Sequence, residues 1–392
     1  MSPKHLKGLV KTVITKLEHK INERRSAGLL RTLKQTDDLT DFCSNDYLGF
    51  ARSAELKQLI REAEGNCPIG YTGATGSRLL AGNTRLAEEV ESQIAAFHRA
   101  ESALLFNSGY DANLGLMACI AGREDTLITD ELIHASMIDG ARLSYATRYR
   151  FRHNDLADLE SILTKVQGQT YVAVESVYSM DGDLAPLIEL ADLCDRYGAA
   201  LLVDDAHATG IYGPNGEGQV VALGLEDRIL ARIHTYGKAL GVHGAAIVGP
   251  AVLSDYLTNF ARSFIYTTAL PPHSYLAIRA AYAHLQCCPE TRTQLHNRVA
   301  CFRQKAAEYL PEASWTDSRS PIQCLIVPGN EAARQVADAA QQAGFDVRAI
   351  LSPTVPAGQE RLRLCIHSFN TADEIDRLLA VLQKSLAGVP TL

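Results

Sequence analysis

The chain has 392 residues, 46% hydrophobic and 21% charged, which is enough for a large core and too long for a disulfide-stapled mini-protein. A formal net charge of -7 leaves no basic footprint for nucleic acid, so small molecules and further copies of the chain are the expected partners. No apolar run approaches the roughly 18 residues of a membrane span. The nine cysteines, odd in number and without a C-x-x-C pair, predict reduced thiols in a cytoplasmic setting.

At the N-terminus, Lys4, Lys7, Lys11, Lys16, Lys20, Arg24 and Arg25 form a basic segment. Leu6, Val10, Val13, Leu17 and Ile21 recur in it at helical spacing, and Glu18 and Glu23 interrupt the charge. That pattern predicts a surface helix of the mature protein rather than a transit peptide. Residues 1–50 are therefore read as an N-terminal helix and segment, 51–290 as a large domain and 291–392 as a small one.

From about residue 85 to 250, helix and strand patterns alternate. Leu86, Val90, Ile94 and Phe97 line a helix face. Strand-like runs lie at 103–106, 126–129, 171–177, 200–203, 229–235 and 245–248. Asn154 is the expected cap of the helix carrying Leu156, Leu159, Leu163 and Val166, and Pro186 and Gly198 bracket the next. Short apolar strands between amphipathic helices imply a mostly parallel sheet covered on both faces. Ligands in such folds gather at the carboxyl ends of the strands. A long helical stretch at 272–310 precedes strands at 324–327, 347–350 and 361–366 and a last helix holding Ile375, Leu378, Leu379 and Leu382. This is a smaller α+β unit.

Chemistry-bearing residues stand at the predicted strand ends. One apolar run delivers Asp204-Asp205-Ala206-His207, and another delivers Thr235-Tyr236-Gly237-Lys238. Alone, the first suits a solvated loop or a divalent metal, although no second His/Asp/Glu cluster has ligand spacing. Alone, the second is a lysine in a turn. Together they suit pyridoxal phosphate, which needs a lysine for its aldehyde and an acid opposite its pyridinium nitrogen. Lys238 fits the first need, Asp204 the second, and His207 the ring hydroxyl. Phe106-Asn107-Ser108-Gly109-Tyr110 joins a strand to a helix, a natural anion cradle, and Thr235 offers a hydroxyl near the lysine. Alternation puts Arg361 and Arg363 on one face of a strand. One guanidinium fork suits a substrate carboxylate, and a solvated strand edge is the expectation for the other.

The whole order of motifs resembles the α-oxoamine synthases, which are fold-type-I pyridoxal-phosphate enzymes. It runs through Ser44-Asn45-Asp46-Tyr47-Leu48-Gly49, Phe106-x-Ser108-Gly109-Tyr110-x-x-Asn113, His134-Ala135-Ser136 and Ser179-Met180-Asp181-Gly182-Asp183. Asp204-Asp205-Ala206-His207, Thr235-Tyr236-Gly237-Lys238 and Pro356-x-Gly358-x-x-Arg361-Leu362-Arg363 complete it. The family joins an amino acid to an acyl thioester with loss of carbon dioxide. The segments Ile265–Pro272 and Pro353–Gly358 are most similar to members taking L-alanine and a pimeloyl thioester, carried by coenzyme A or a carrier protein, in biotin synthesis. Glycine with an acetyl thioester, a serine palmitoyltransferase-like reaction and a non-catalytic partner subunit are the alternatives.

The resemblance implies Lys238 as Schiff-base lysine and acid/base, Asp204 on the pyridine nitrogen, His134 stacked on the ring, His207 on the ring oxygen and Ser179 nearby. It implies Gly109, Tyr110 and Thr235 on the phosphate, with Thr267 or Thr268 reaching it from the other subunit of a homodimer. Asn45 and Arg363 become candidates for the amino-acid carboxylate and Arg31 for the distal carboxylate of the acyl chain. One departure is Ala87, where many members carry histidine.

Overall fold

A computed structural model describes residues 3–33, 35, 38–67 and 70–388. It resolves into two compact units, residues 1–39 and 40–392. The first contains the expected helix, Pro3–Ser26, whose last turn carries Arg24 and Arg25 where the helix dipole favours cations.

In the second unit a seven-stranded sheet holds the strands β1 (Ser102–Phe106), β2 (Thr126–Asp130), β3 (Thr147–Phe151), β4 (Thr170–Glu175), β5 (Ala200–Asp204), β6 (Ile229–Thr235) and β7 (Ala245–Gly249). Their order is β1-β7-β6-β5-β4-β2-β3. The pairs from β6 through β3 are parallel, and β7 runs antiparallel between β1 and β6. Apolar clusters cover the sheet: one through Leu104, Leu116, Met117 and Ile247, another through Ile128, Val172, Leu190 and Val203, and a third over β1 and β7 through Leu105 and Val248. The central strands are apolar throughout because both faces are buried.

Three local features add to the sequence reading or correct it. β3, Thr-Arg-Tyr-Arg-Phe, carries no strand-like apolar run, because an edge strand buries only Phe151 and leaves Arg148 and Arg150 in water. The helix Leu156–Leu163 is capped by Asp155, whose carboxylate accepts the Asp158 N–H at 2.9 Å, while Asn154 sits before it at φ 52°. The stretch at 272–310 is two helices, Pro272–Cys287 and Pro289–Tyr309, because Pro289 has no N–H with which to continue the first. The bracketing of Leu187–Tyr197 by Pro186 and Gly198 matches the expectation.

A second sheet places β10 (Arg361–Cys365) antiparallel between β8 (Ile322–Ile326) and β9 (Arg348–Ile350). The helix Ala372–Leu386 buries Ile375, Leu378, Leu379 and Leu382 in the core beside it. A two-residue pair, Thr40–Asp41 with Phe345–Asp346, ties the segment around Asn45 to this part of the chain. Ala87 is fully buried on the helix Arg85–Phe97, so a larger ring there would need the core to move.

Candidate active site

The carboxyl ends of β4, β5 and β6 open into a cavity of about 270 Å³. Asn45, Gly109, Tyr110, His134, Asp204, His207, Thr235 and Lys238 all line it, although they come from segments up to 193 residues apart. The parallel order of the sheet is what assembles them.

Asp204 ends β5 with both carboxylate oxygens bonded. Oδ2 accepts the Asn113 Nδ2 at 2.7 Å, and Oδ1 accepts the Ala206 N–H at 2.9 Å. Asn113 also donates to Ser136 Oγ at 3.0 Å, and that hydroxyl lies 2.7 Å from His134 Nδ1. The Ser136 N–H also meets His134 Nδ1, at 3.2 Å, so the ring caps its own helix, Ala135–Leu143, while lining the cavity. Burial holds the His134 pKa below the ordinary imidazole value.

His207 lies in a second network. Its Nδ1 is 2.8 Å from the Tyr47 hydroxyl, which donates to Asn45 Oδ1 at 3.1 Å. The same Asn45 oxygen accepts Arg363 Nη2 at 3.0 Å, and Arg363 Nε donates to the Ser179 carbonyl at 2.7 Å. Burial, and next the nearby Lys238 and Arg363 cations, push His207 well below its usual value. Neutral histidine is thereby the resting form on this wall.

Lys238 makes no ion pair within 4 Å among the described residues. Burial lowers its pKa from the ordinary 10.5 to about 8, with Asp204 and Glu175 opposing that shift and Arg363 adding to it. A lysine so placed reaches its neutral, nucleophilic form more readily than a solvated one.

The helix Gly109–Cys119 points its N-terminus into the cavity, and Ser108 caps it by accepting the Asp111 N–H at 3.1 Å. A Cβ on Gly109 would lie 2.3 Å from Thr235 Cγ2, so only glycine lets the turn approach β6 this closely. Thr235 Oγ1 is buried without a hydrogen-bond partner among the described residues. Asn113 stands one turn further along the helix, about 6 Å on. An anion cradle and an acid-orienting amide therefore share one helix.

Other expected residues lie outside the cavity wall. Ser179 is buried behind it and acts through its carbonyl on Arg363. Thr267 Oγ1 accepts Asn107 Nδ2 at 3.0 Å, and Thr268 is exposed. Arg31 belongs to the first unit. Arg361 is no solvated strand edge: it is buried and ion-paired with Asp181, because the face it shares with Arg363 packs on the 179–181 segment.

Glu175 and His243 also line the cavity and were not singled out from the sequence. Glu175 ends β4 in direct register with Asp204, and burial, followed by the Asp204 charge, raises its pKa well above the carboxylate range. Its signal was an acid closing the apolar run Tyr171-Val172-Ala173-Val174.

A family model of aminotransferases, class I and II, matches residues 37–382. The 8-amino-7-oxononanoate synthase of Emericella nidulans is 42% identical over 96% of this chain and 95% of its own, and that of Marinobacter nauticus is 40% identical over 93% and 95%. Among solved structures, the Sphingomonas wittichii serine palmitoyltransferase superposes with a TM-score of 0.87 at 26% identity, over 96% of this chain and 98% of its own. A S. paucimobilis serine palmitoyltransferase with bound PLP–myriocin gives 0.87 at 27%, over 96% and 98%. The Francisella tularensis 8-amino-7-oxononanoate synthase gives 0.76 at 29%, over 90% and 99%.

The chain belongs to the class I and II aminotransferase family, in its α-oxoamine synthase branch, and has the expected fold-type-I architecture. The sequence relatives described above share one name, 8-amino-7-oxononanoate synthase.

Proposed function

We propose that this chain is a pyridoxal-phosphate enzyme that condenses L-alanine with a pimeloyl thioester, releasing carbon dioxide and a thiol and yielding 8-amino-7-oxononanoate for biotin synthesis. The observation that carries the reading is one cavity holding Lys238, Asp204, His134, His207, the Gly109 turn and a Thr235 hydroxyl without a partner among the described residues. The fit to the cofactor is specific. The turn cannot accept a side chain, the Thr235 hydroxyl has no hydrogen-bond partner among the described residues, and Asn113, one helical turn along, orients the acid. When bound, pyridoxal phosphate supplies an aldehyde for amines and a protonated ring that accepts an electron pair from the amino acid's α-carbon.

Each residue then has a task. The Gly109 turn, Tyr110 and the Thr235 hydroxyl hold the phosphate. Asp204, oriented by Asn113, would accept the ring N–H and so keep that nitrogen protonated. His134 would hold the ring, and His207, set by Tyr47, would hold the ring oxygen. Lys238 would hold the aldehyde until the substrate amine displaces it, and its freed amine would then take and return the proton at the α-carbon. Arg363 and Asn45 receive the amino-acid carboxylate, and Arg31 is assigned to the distal carboxylate of the pimeloyl chain. Thr267 or the exposed Thr268 completes the phosphate site of a second copy in a homodimer. The nine free cysteines suit a cytoplasmic location.

The test is thiol release by cofactor-loaded protein. L-alanine with pimeloyl-CoA or the pimeloyl carrier protein should exceed glycine with acetyl-CoA, and L-serine with palmitoyl-CoA, by at least about 100-fold in kcat/KM. A preference for either other pair would overturn the substrate assignment.

A further inference from the structure

Beyond Glu175 the chain leaves β4 and runs as a strap between the two sheets. On the small-sheet side, its Ser179 carbonyl accepts Arg363 Nε at 2.7 Å and its Met180 carbonyl accepts Arg361 Nη1 at 3.3 Å. The Asp181 carboxylate pairs with Arg361. Thr316 Oγ1 donates to the Asp181 carbonyl at 2.7 Å and Ser318 Oγ to that of Gly182 at 2.8 Å. Gly182 sits at φ 75°, where a Cβ would lie 2.3 Å from the Ile322 carbonyl, so the strap is pressed against β8.

Its far end is held from the large sheet. His153 Nε2 lies 2.7 Å from Asp183 Oδ2, and its Nδ1 lies 3.0 and 3.2 Å from the two oxygens of Asp130 at the end of β2. Asn154 Nδ2 adds a bond to Asp183 at 2.9 Å, and the Asn154 N–H bonds Asp130 at 2.9 Å. The Tyr178 ring packs edge-on at 4.4 Å. Among the other charged neighbours, Glu131 accepts the backbone N–H of His153, and Arg152 is engaged with Asp155 and Asp158. A neutral imidazole has one N–H, whereas two carboxylates on its two nitrogens call for both protons. The two hydrogen-bonded carboxylates accordingly raise the pKa of His153 to about 10 against the opposing effect of burial.

We propose that His153, bridging Asp130 and Asp183, is a positioning residue for Arg363: it fixes the strap whose Ser179 carbonyl orients the guanidinium toward the amino-acid substrate. The inference rests on the assignment of Arg363 to the substrate carboxylate. His153 touches neither cavity nor substrate in this scheme, and acts only by where it holds residues 179–183. A guanidinium tilted away from its two-point geometry keeps its charge and loses the alignment that makes carboxylate recognition strong.

The experiment uses the cofactor-loaded His153→Gln enzyme. KM for L-alanine should rise roughly tenfold, as expected for a misaligned binding group. KM for the acyl thioester and the absorbance of the bound cofactor should stay within about twofold of the parent. Asp183→Asn removes the same link from the other side with little change of shape, and should give the same split if His153→Gln fails to fold. A lowered melting temperature with unchanged KM for L-alanine would overturn the proposal, leaving a plain structural brace. A parallel loss of cofactor, thioester and alanine binding would also overturn it. Arg363→Lys separates the two levels. If it leaves the alanine KM unchanged, the carboxylate assignment itself is wrong. If it raises that KM and His153→Gln does not, only the strap inference fails.

Discussion

Two parts of one cavity are prepared in opposite ways. Around Asp204 the hydrogen bonds are complete: Asn113 and Ala206 engage both carboxylate oxygens, and the network continues through Ser136 to His134. At the Gly109 turn, one helical turn before Asn113, the Thr235 hydroxyl is buried with no partner among the described residues. An acid that must face one ring atom needs its direction set in advance, because a freely rotating carboxylate would lose that direction to entropy. An anion site needs donors that nothing else has claimed, and a buried hydroxyl left open is costly unless a ligand completes it. The first part stores orientation, and the second stores unmet hydrogen-bonding capacity.

That contrast can be broken in four ways, and the largest effect belongs to the lysine between the two parts. Lys238→Ala should lower turnover by on the order of 10³-fold or more while cofactor is still retained through the acid and the turn, without the absorption band of lysine-bound cofactor. Substantial turnover would show that another amine does this work.

Asp204→Asn should come next, with kcat reduced by about 10²- to 10³-fold and cofactor affinity changed less, since it removes charge from an oriented group. Equal losses in kcat and affinity would mean that the acid only holds the ring.

Gly109→Ala should act the other way. Equilibrium titration should show cofactor affinity falling roughly tenfold as Thr235 is displaced, with kcat at saturating cofactor near the parent value. A drop in kcat instead would place the turn in the chemistry.

The smallest effect is a pH dependence in cofactor-free protein. The folded pKa of Lys238, about 8, lies below its ordinary 10.5, so the unfolded chain binds more protons between those values. The lysine's contribution to stability must therefore rise with pH across that window. Denaturant unfolding of the parent and Lys238→Met at pH 8 and pH 10 should show the variant's advantage shrinking as pH rises.

Much of this site was legible in residue types. Lys238, Asp204, His207 and His134 carry chemistry that few surface positions need, and each follows an apolar run or opens a helix. Glu175 was hidden because a single acid ending a strand resembles any other strand end. Its meaning comes from the register that sets it beside Asp204. Asn113 stood in a recognised motif, yet nothing local shows that its amide reaches a carboxylate 91 residues later. Arg361 was misjudged for a related reason: alternation gives the face of a strand, and whether that face meets water or Asp181 depends on what packs there.

By itself, then, the sequence determined the succession of strands and helices, most helix ends and the identity of the reactive groups. Periodicity, capping and side-chain chemistry are properties of neighbouring residues. Tertiary structure decided the strand order, the charged edge strand β3, the pairing of Glu175 with Asp204, and the chain of contacts from His207 through Tyr47 and Asn45 to Arg363. Those depend on which distant segments the burial of apolar strands brings together, and proximity across the fold is a property of the packed chain rather than of any stretch of it.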